Sequence, residues 1–195
     1  MLTRLRRQAG TGMLVLVVFT VLCGIVYPLV VWGVSRIPGL TATAEGTGSV
    51  PVVGVDQVPA DPAADPYFHT RPSASSQDVL GPGDTSTSGG SNKAQDSTDL
   101  LDTLAQRRAQ IAQREGVAPE AVPADAVAAS ASGIDPDISP DYAALQTARV
   151  ARVTGLPAAK VQRIVADATD GRILGFLGEP TVNVPKLNAA IAAAR

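Results

Sequence analysis

Residues 13–34 read MLVLVVFTVLCGIVYPLVVWGV, 22 residues without a formal charge and dominated by Val, Leu, Ile, Phe, Met and Trp. At about 1.5 Å per helical residue the stretch spans roughly 33 Å, enough to cross the hydrocarbon core of a bilayer. A lone strand is excluded, because its backbone amides would stay unpaired in lipid. The reading is a membrane helix, and it divides the chain into a basic N-terminus (1–12), the span (13–34), a linker (35–49) and a body (50–195).

The flanks set the direction of crossing. Arg4, Arg6 and Arg7 precede the apolar run without an acid beside them, and Arg36 alone follows closely. That bias places the N-terminus in the cytoplasm and the body outside, in the plasma (inner) membrane. Tyr27 and Trp32 lie toward the outer end, where amphipathic rings meet headgroups, and Pro28 predicts a kink. A cleaved signal peptide is the alternative, since Ala42-Thr43-Ala44 has the small-residue pattern of a cleavage site. The apolar run exceeds the roughly 7–15 residues of an ordinary signal core, so a retained anchor is expected. Cys23 follows the large Leu22 in mid-run, which argues against a lipid-modified anchor.

Beyond Arg36 the chain carries 12 Lys and Arg against 18 Asp and Glu, a balance of −6. This argues against nucleic acid or anionic lipid as a ligand of the body. The single cysteine lies within the span, so the body has neither disulfides nor thiol chemistry. With one histidine, His69, a zinc site is not expected.

Within the body, Val50–Val55 is a short strand candidate broken by Pro51 and Gly54. Residues 57–66 read as loop. Tyr67, Phe68, His69, Arg71, Pro72 and Ser73 crowd aromatics, an imidazole and an Arg-Pro pair into one extended segment, since Pro72 disfavours helix at Arg71. Its two readings are a partner-binding surface and a loop anchored to the core by its rings. Residues 75–96, with Gly89, Gly90, Ser91 and Asn92, form a long polar loop.

A helix is expected from Thr98 to Glu115, with Ser97 as N-cap, Leu101, Leu104, Arg108 and Ile111 on one face, and Gly116 as the stop. Residues 127–132 are read as a strand. Ser139 and Pro140 are the N-cap and first residue of a helix ending at Gly155, and Pro157 opens another to about Ala168. Phe176-Leu177-Gly178-Glu179-Pro180 turns into a strand at 181–184, and a last helix starts at Pro185. The sum is an α+β fold: one transmembrane helix, then a helix-rich body with a small sheet.

Catalytic motifs are weak. Asp135 and Asp137 alone do not make a cation site, which needs more oxygen ligands; as an outward-facing acidic patch they would suit a cation-handling partner and steer its cation. Ser91-Asn92-Lys93 lacks the spacing of a phosphate loop. An anchored hydrolase would need His69 with Ser73 or Ser139, without a nucleophile-elbow motif; a ligand-binding module is the other alternative.

Five blocks occur in order: YFHTRPSA (67–74), SGGSN (88–92), ASASGIDPDISP (129–140), RVAR (149–152) and LGEPTVNV with Leu187-Asn188 (177–188). With the single N-terminal span, the chain resembles the C subunit of the bacterial Kdp high-affinity potassium-transporting ATPase. The resemblance covers the anchor and nearly all of the body. It implies a non-catalytic subunit beside a channel-like potassium-translocating subunit, a P-type ATPase subunit and a small fourth chain. ATP, magnesium and potassium then belong to the complex, and this chain binds no cofactor of its own. Family members are described as catalytic chaperones that raise the ATP affinity of the ATPase subunit; from outside the membrane such an effect must be coupled through the membrane subunits. The resemblance marks Gly178, Glu179, Asn183 and Asn188, with the motif residues above, as interface candidates. Gly12, Thr20, Gly24 and Gly33 are candidates for close helix approach within the membrane.

Overall fold

The structure is a computed structural model, and its described residues are 2–45, 64–81, 83, 84 and 86–195. The strand expected at 50–55 lies outside them. The chain divides into two compact units, Met1–Ser49 and Val50–Arg195.

In the first unit, α1 (Leu2–Val21) passes through a π-helical turn (Leu22–Val26) into α2 (Tyr27–Ser35). The π turn sits directly before Pro28: the Tyr27 amide reaches back five residues to the Leu22 carbonyl. Proline has no amide to continue the ladder, and a widened turn absorbs the missing bond and the ring's bulk. The stretch Arg6–Ser35 is long and apolar enough to cross a bilayer. Gly12, Gly24 and Gly33 have open space where a Cβ would stand, and the Thr20 hydroxyl donates to the Leu16 carbonyl at 2.8 Å. A short α3 (Thr41–Glu45) follows.

The second unit is α+β and mostly helical. Its described elements are α4 (Thr98–Glu115), a 3₁₀ turn (Pro119–Ala121), α5 (Ala124–Val127), β1 (Asp137–Ile138), α6 (Pro140–Thr154), α7 (Ala158–Asp167), β2 (Thr169–Asp170), β3 (Thr181–Asn183) and α8 (Val184–Ala194). The strands form one antiparallel sheet in the order β1-β3-β2, with Ile138 and Thr169 flanking Val182. Val182 is fully buried and alternates with half-buried neighbours, the period-two pattern of a sheet with one face on the core.

The helix ends follow their cap residues. The Ser139 hydroxyl accepts the Tyr142 amide and Pro140 occupies the first turn of α6. The Asn183 side chain accepts the Lys186 amide at the start of α8. Gly116 (φ +72°) and Gly155 (φ +74°) close α4 and α6 in the left-handed conformation that a side chain resists. The core gathers Ile111 and Ala112 of α4, Tyr142, Ala143 and Val150 of α6, Val161 of α7, Val182 of β3, and Leu187 and Ile191 of α8 around Phe68.

Two local expectations differ from the structure. Residues 127–132 are not a strand: Val127 ends α5, and only Ser130 makes a bridge, parallel to Ser73. Small residues there let two loops approach closely rather than extend a ladder. On α4, the buried face includes Arg107 instead of Arg108, and Leu101 is half exposed. The Arg107 guanidinium turns inward because it donates to the Val79 and Val127 carbonyls, both at 3.1 Å, pinning two loops. Ser97 makes no side-chain cap bond to α4.

Candidate functional site

The extended segment 67–73 is held from both sides by side-chain amides that imitate a neighbouring strand. From α8, Asn188 accepts the Phe68 amide at 2.8 Å and donates to the Phe68 carbonyl at 2.9 Å. From α6, Gln146 accepts the His69 amide at 2.8 Å and donates to the His69 carbonyl at 3.1 Å. A carboxamide carries one acceptor and a donor group side by side, so it can satisfy both polar groups of one residue. Two consecutive residues are thereby clamped without a partner strand.

Arg149, three residues after Gln146 and on the same face of α6, completes the support. Its guanidinium is 0% exposed and spends its donors on five groups. Nε lies 3.0 and 3.1 Å from the two Glu115 oxygens. Nη1 donates to the carbonyls of Asp65 at 2.8 Å and Tyr67 at 2.9 Å, and also lies 3.2 Å from Asp65 Oδ2. Nη2 donates to Gln146 Oε1 at 3.1 Å. Arg114 reinforces Glu115 through Nε at 2.7 Å and donates to the Tyr142 hydroxyl at 2.9 Å. Glu115 ends α4, where the helix dipole repels an acid, and two guanidiniums more than offset that.

His69 is 1% exposed, and its Nε2 pairs with Asp65 Oδ2. Burial pushes the Asp65 carboxyl up. The His69 hydrogen bond and charge, the Tyr67 amide and Arg149 together outweigh it, so Asp65 titrates below its ordinary value. Arg107 is lowered by its burial. Among the described residues, no buried side-chain polar atom lacks a hydrogen-bond partner. A fully satisfied buried network of this kind fixes one arrangement of the chain around it.

The other motif residues fall into neighbouring constellations. Arg71 pairs with Asp135, whose Oδ1 accepts the Asp137 amide. Asp137 in turn accepts from the Asn183 side chain at 3.0 Å, and the Val184 amide donates to the Pro136 carbonyl. The two aspartates are therefore partly buried and engaged, not an open pair. Ser73 and Pro72 run beside Ser130: Ala74 N donates to Ser130 O at 2.9 Å and Ser130 N to Pro72 O at 2.8 Å. A Cβ on Gly83 or Gly133 would meet the Ser73 hydroxyl at 2.3 or 2.9 Å, so both glycines are required by close approach.

Gly89 donates to the Ala131 carbonyl at 2.8 Å. Gly90, Ser91 and Asn92 border an open cleft of about 880 Å³ whose other walls include Asp78, Lys93 and Arg107. Glu179 pairs with Arg172, and Gly178 adopts φ +81°. No group of three or more His, Cys, Asp or Glu capable of holding a metal occurs among the described residues.

Among the described residues this geometry holds backbone rather than presenting a reactive group. His69 is inaccessible, the Ser139 hydroxyl is committed to capping α6, and the Ser73 hydroxyl bonds Ser75. Sequence reasoning identified Tyr67–Ser73 and Asn188 but missed Asp65, Glu115 and Gln146 and gave Arg149 no role. The signals were present: an acid at the C-terminal end of α4, and a Gln/Arg pair at i, i+3 on a face that carries core residues.

Among the described residues the chain is thus a helix-rich α+β domain that follows an apolar N-terminal helix long enough to cross a bilayer. The family profile described as KdpC, the K+-transporting ATPase c chain, matches residues 9–193. A potassium-transporting ATPase KdpC subunit from Kineococcus radiotolerans is 45% identical over 200 residues, covering 99% of this chain and 97% of its own length. Proteins of the same name from Streptomyces coelicolor (40% over 215 residues, covering 97% and 94%) and Xanthomonas oryzae pv. oryzae (40% over 186 residues, covering 92% and 85%) are also similar. The chain belongs to the KdpC family.

Proposed function

We propose that this chain is the non-catalytic accessory subunit of an ATP-driven, high-affinity potassium uptake pump. The observation that carries the reading is the family match over residues 9–193, which takes in the apolar helix and the body together. The helix anchors the chain beside a channel-like translocating subunit, a P-type ATPase subunit and a small fourth chain. Gly12, Thr20, Gly24 and Gly33 offer those partners close approach. The excess of arginine before the span puts the N-terminus in the cytoplasm and the body outside.

There the body sits over the entrance of the translocating subunit and stabilises the assembly. Asp135 and Asp137 are bound to Arg71 and Asn183, so they serve the body's own structure rather than steering potassium. Any effect on ATP affinity passes through the membrane subunits as a coupling free energy between distant sites. The test is potassium uptake and potassium-stimulated ATP hydrolysis in membrane vesicles containing the pump with and without the full-length chain. Loss of both without it, and recovery when it is restored, is expected; unchanged activity in its absence overturns the reading.

A further inference from the structure

The β2–β3 connection is a short hairpin tip that turns its large apolar side chains outward. Residues 171–179 are all exposed. Ile173 (67%), Leu174 (83%), Phe176 (71%) and Leu177 (56%) stand among the most exposed apolar side chains of the second unit. Contiguous exposed apolar clusters of this kind mark interaction sites, unlike scattered single residues.

The tip is built rather than loose. Ile173 and Leu177 form an antiparallel bridge, with the Ile173 amide donating to the Leu177 carbonyl at 2.9 Å and the Leu177 amide to the Ile173 carbonyl at 3.0 Å. The Gly175 amide closes onto the Arg172 carbonyl at 3.0 Å. Leu174 has φ +55°, a left-handed conformation costly for a bulky residue, followed by Gly175 at φ +81°. Among the described residues this leucine faces solvent without burying its side chain, and backbone strain of that kind points to a functional surface. At the base, Arg172 and Glu179 pair at 2.5 Å and Asp170 is exposed, leaving a rim without a free cation.

That charge pattern selects the occupant. An interfacial lipid-binding loop pairs apolar residues with free basic ones and with Trp or Tyr. Here the single cation at the rim is neutralised, no Trp or Tyr is present, and the chain beyond Arg36 is acidic, with 12 basic against 18 acidic residues. We infer that the Ile173–Leu177 tip is a docking knob that inserts into an uncharged apolar recess on the exposed surface of a membrane-embedded pump subunit. The inference rests on the subunit reading above and adds the surface that makes the contact. The knob leads through β3 into α8, whose Asn188 clamps Phe68.

The test uses the full-length chain in the assembled, detergent-solubilised pump. A photo-crosslinkable benzophenone residue replaces Phe176, or Gln113 on the exposed side of α4 as a reference. Crosslinking from position 176 to one partner subunit, about tenfold above position 113, is expected for a buried anchor. Phe176→Ser should weaken retention of the chain in the complex by about tenfold or more while leaving its own melting unchanged. Leu174→Gly relieves the backbone and should melt at the same or higher temperature, yet weaken retention as well. Crosslinks confined to lipid, or wild-type retention of both variants, overturn the docking knob and leave the subunit reading standing. If the unmodified chain copurifies with no pump subunit, the subunit reading itself falls.

Discussion

Replacing Arg149 by Met keeps most of the side chain's volume but removes every donor of the guanidinium. Glu115 then keeps only Arg114, and the Asp65 and Tyr67 carbonyls lose their common donor. Breaking a buried charge pair by deleting one partner costs about 3–5 kcal/mol, because the remaining charge stays desolvated. For a body of this size the loss corresponds to a drop of roughly 6–20 °C in melting temperature. The assay is urea and thermal unfolding of the full-length chain in detergent, followed by far-ultraviolet circular dichroism. Combining Arg149→Met with Glu115→Leu should recover part of the loss, since two groups in one network are not additive. A loss under about 1 kcal/mol for Arg149→Met, of the size seen for surface pairs, would refute the claim that this network holds segment 67–73 in place.

Asn188→Ala should cost about 1–3 kcal/mol by orphaning the Phe68 amide and carbonyl, and hydrogen exchange at Phe68 should quicken while exchange in α4 stays slow. The lowered pKa of Asp65 makes its contribution to stability complete above the ordinary value of 3.8 and lost as pH falls through its folded value. Unfolding followed against pH should therefore show an acid limb below pH 3.8 that is shallower in Asp65→Asn, which is itself less stable at neutral pH. Gly155→Ala meets no neighbouring atom but keeps φ +74°, so its cost should be confined to backbone strain, about 1–2 kcal/mol. Gly83→Ala places a methyl against the Ser73 hydroxyl and should cost more, measured as the difference in urea midpoints.

The helices were legible because their signals are local. Ser139-Pro140, Gly116, Gly155 and the apolar periodicity of 98–115 each act within one or two turns, and the structure places those elements where the residues predict. The pause at Pro28 was also legible, although its form, a π turn rather than a simple kink, depends on how the upstream carbonyls find partners. Segment 67–73 stood out by composition, but its supports did not. Asp65, Glu115, Gln146 and Arg149 are ordinary polar residues in sequence, and the bonds that tie Glu115 to Arg149, Gln146 to His69 and Arg149 to Asp65 span 34, 77 and 84 positions. Periodicity assigns an Arg on a core face to the solvent side, so Arg107 and Arg149 were passed over. Small residues at 127–132 suggested a strand when their use is close loop packing against Ser73. The turn before β3 was legible from Phe176 to Pro180, but that its Ile, Leu and Phe side chains all face outward depends on the turn geometry.

The central claim, that this chain works as a structural subunit and performs no reaction alone, is tested most directly by affinity purification of the tagged full-length chain from membranes solubilised in mild detergent. The account predicts recovery in fixed stoichiometry with a large translocating subunit and a P-type ATPase subunit, with ATP hydrolysis present in the complex and absent from the isolated chain. Recovery of the chain alone, or hydrolytic turnover by the isolated chain that is abolished by His69→Ala, would contradict it.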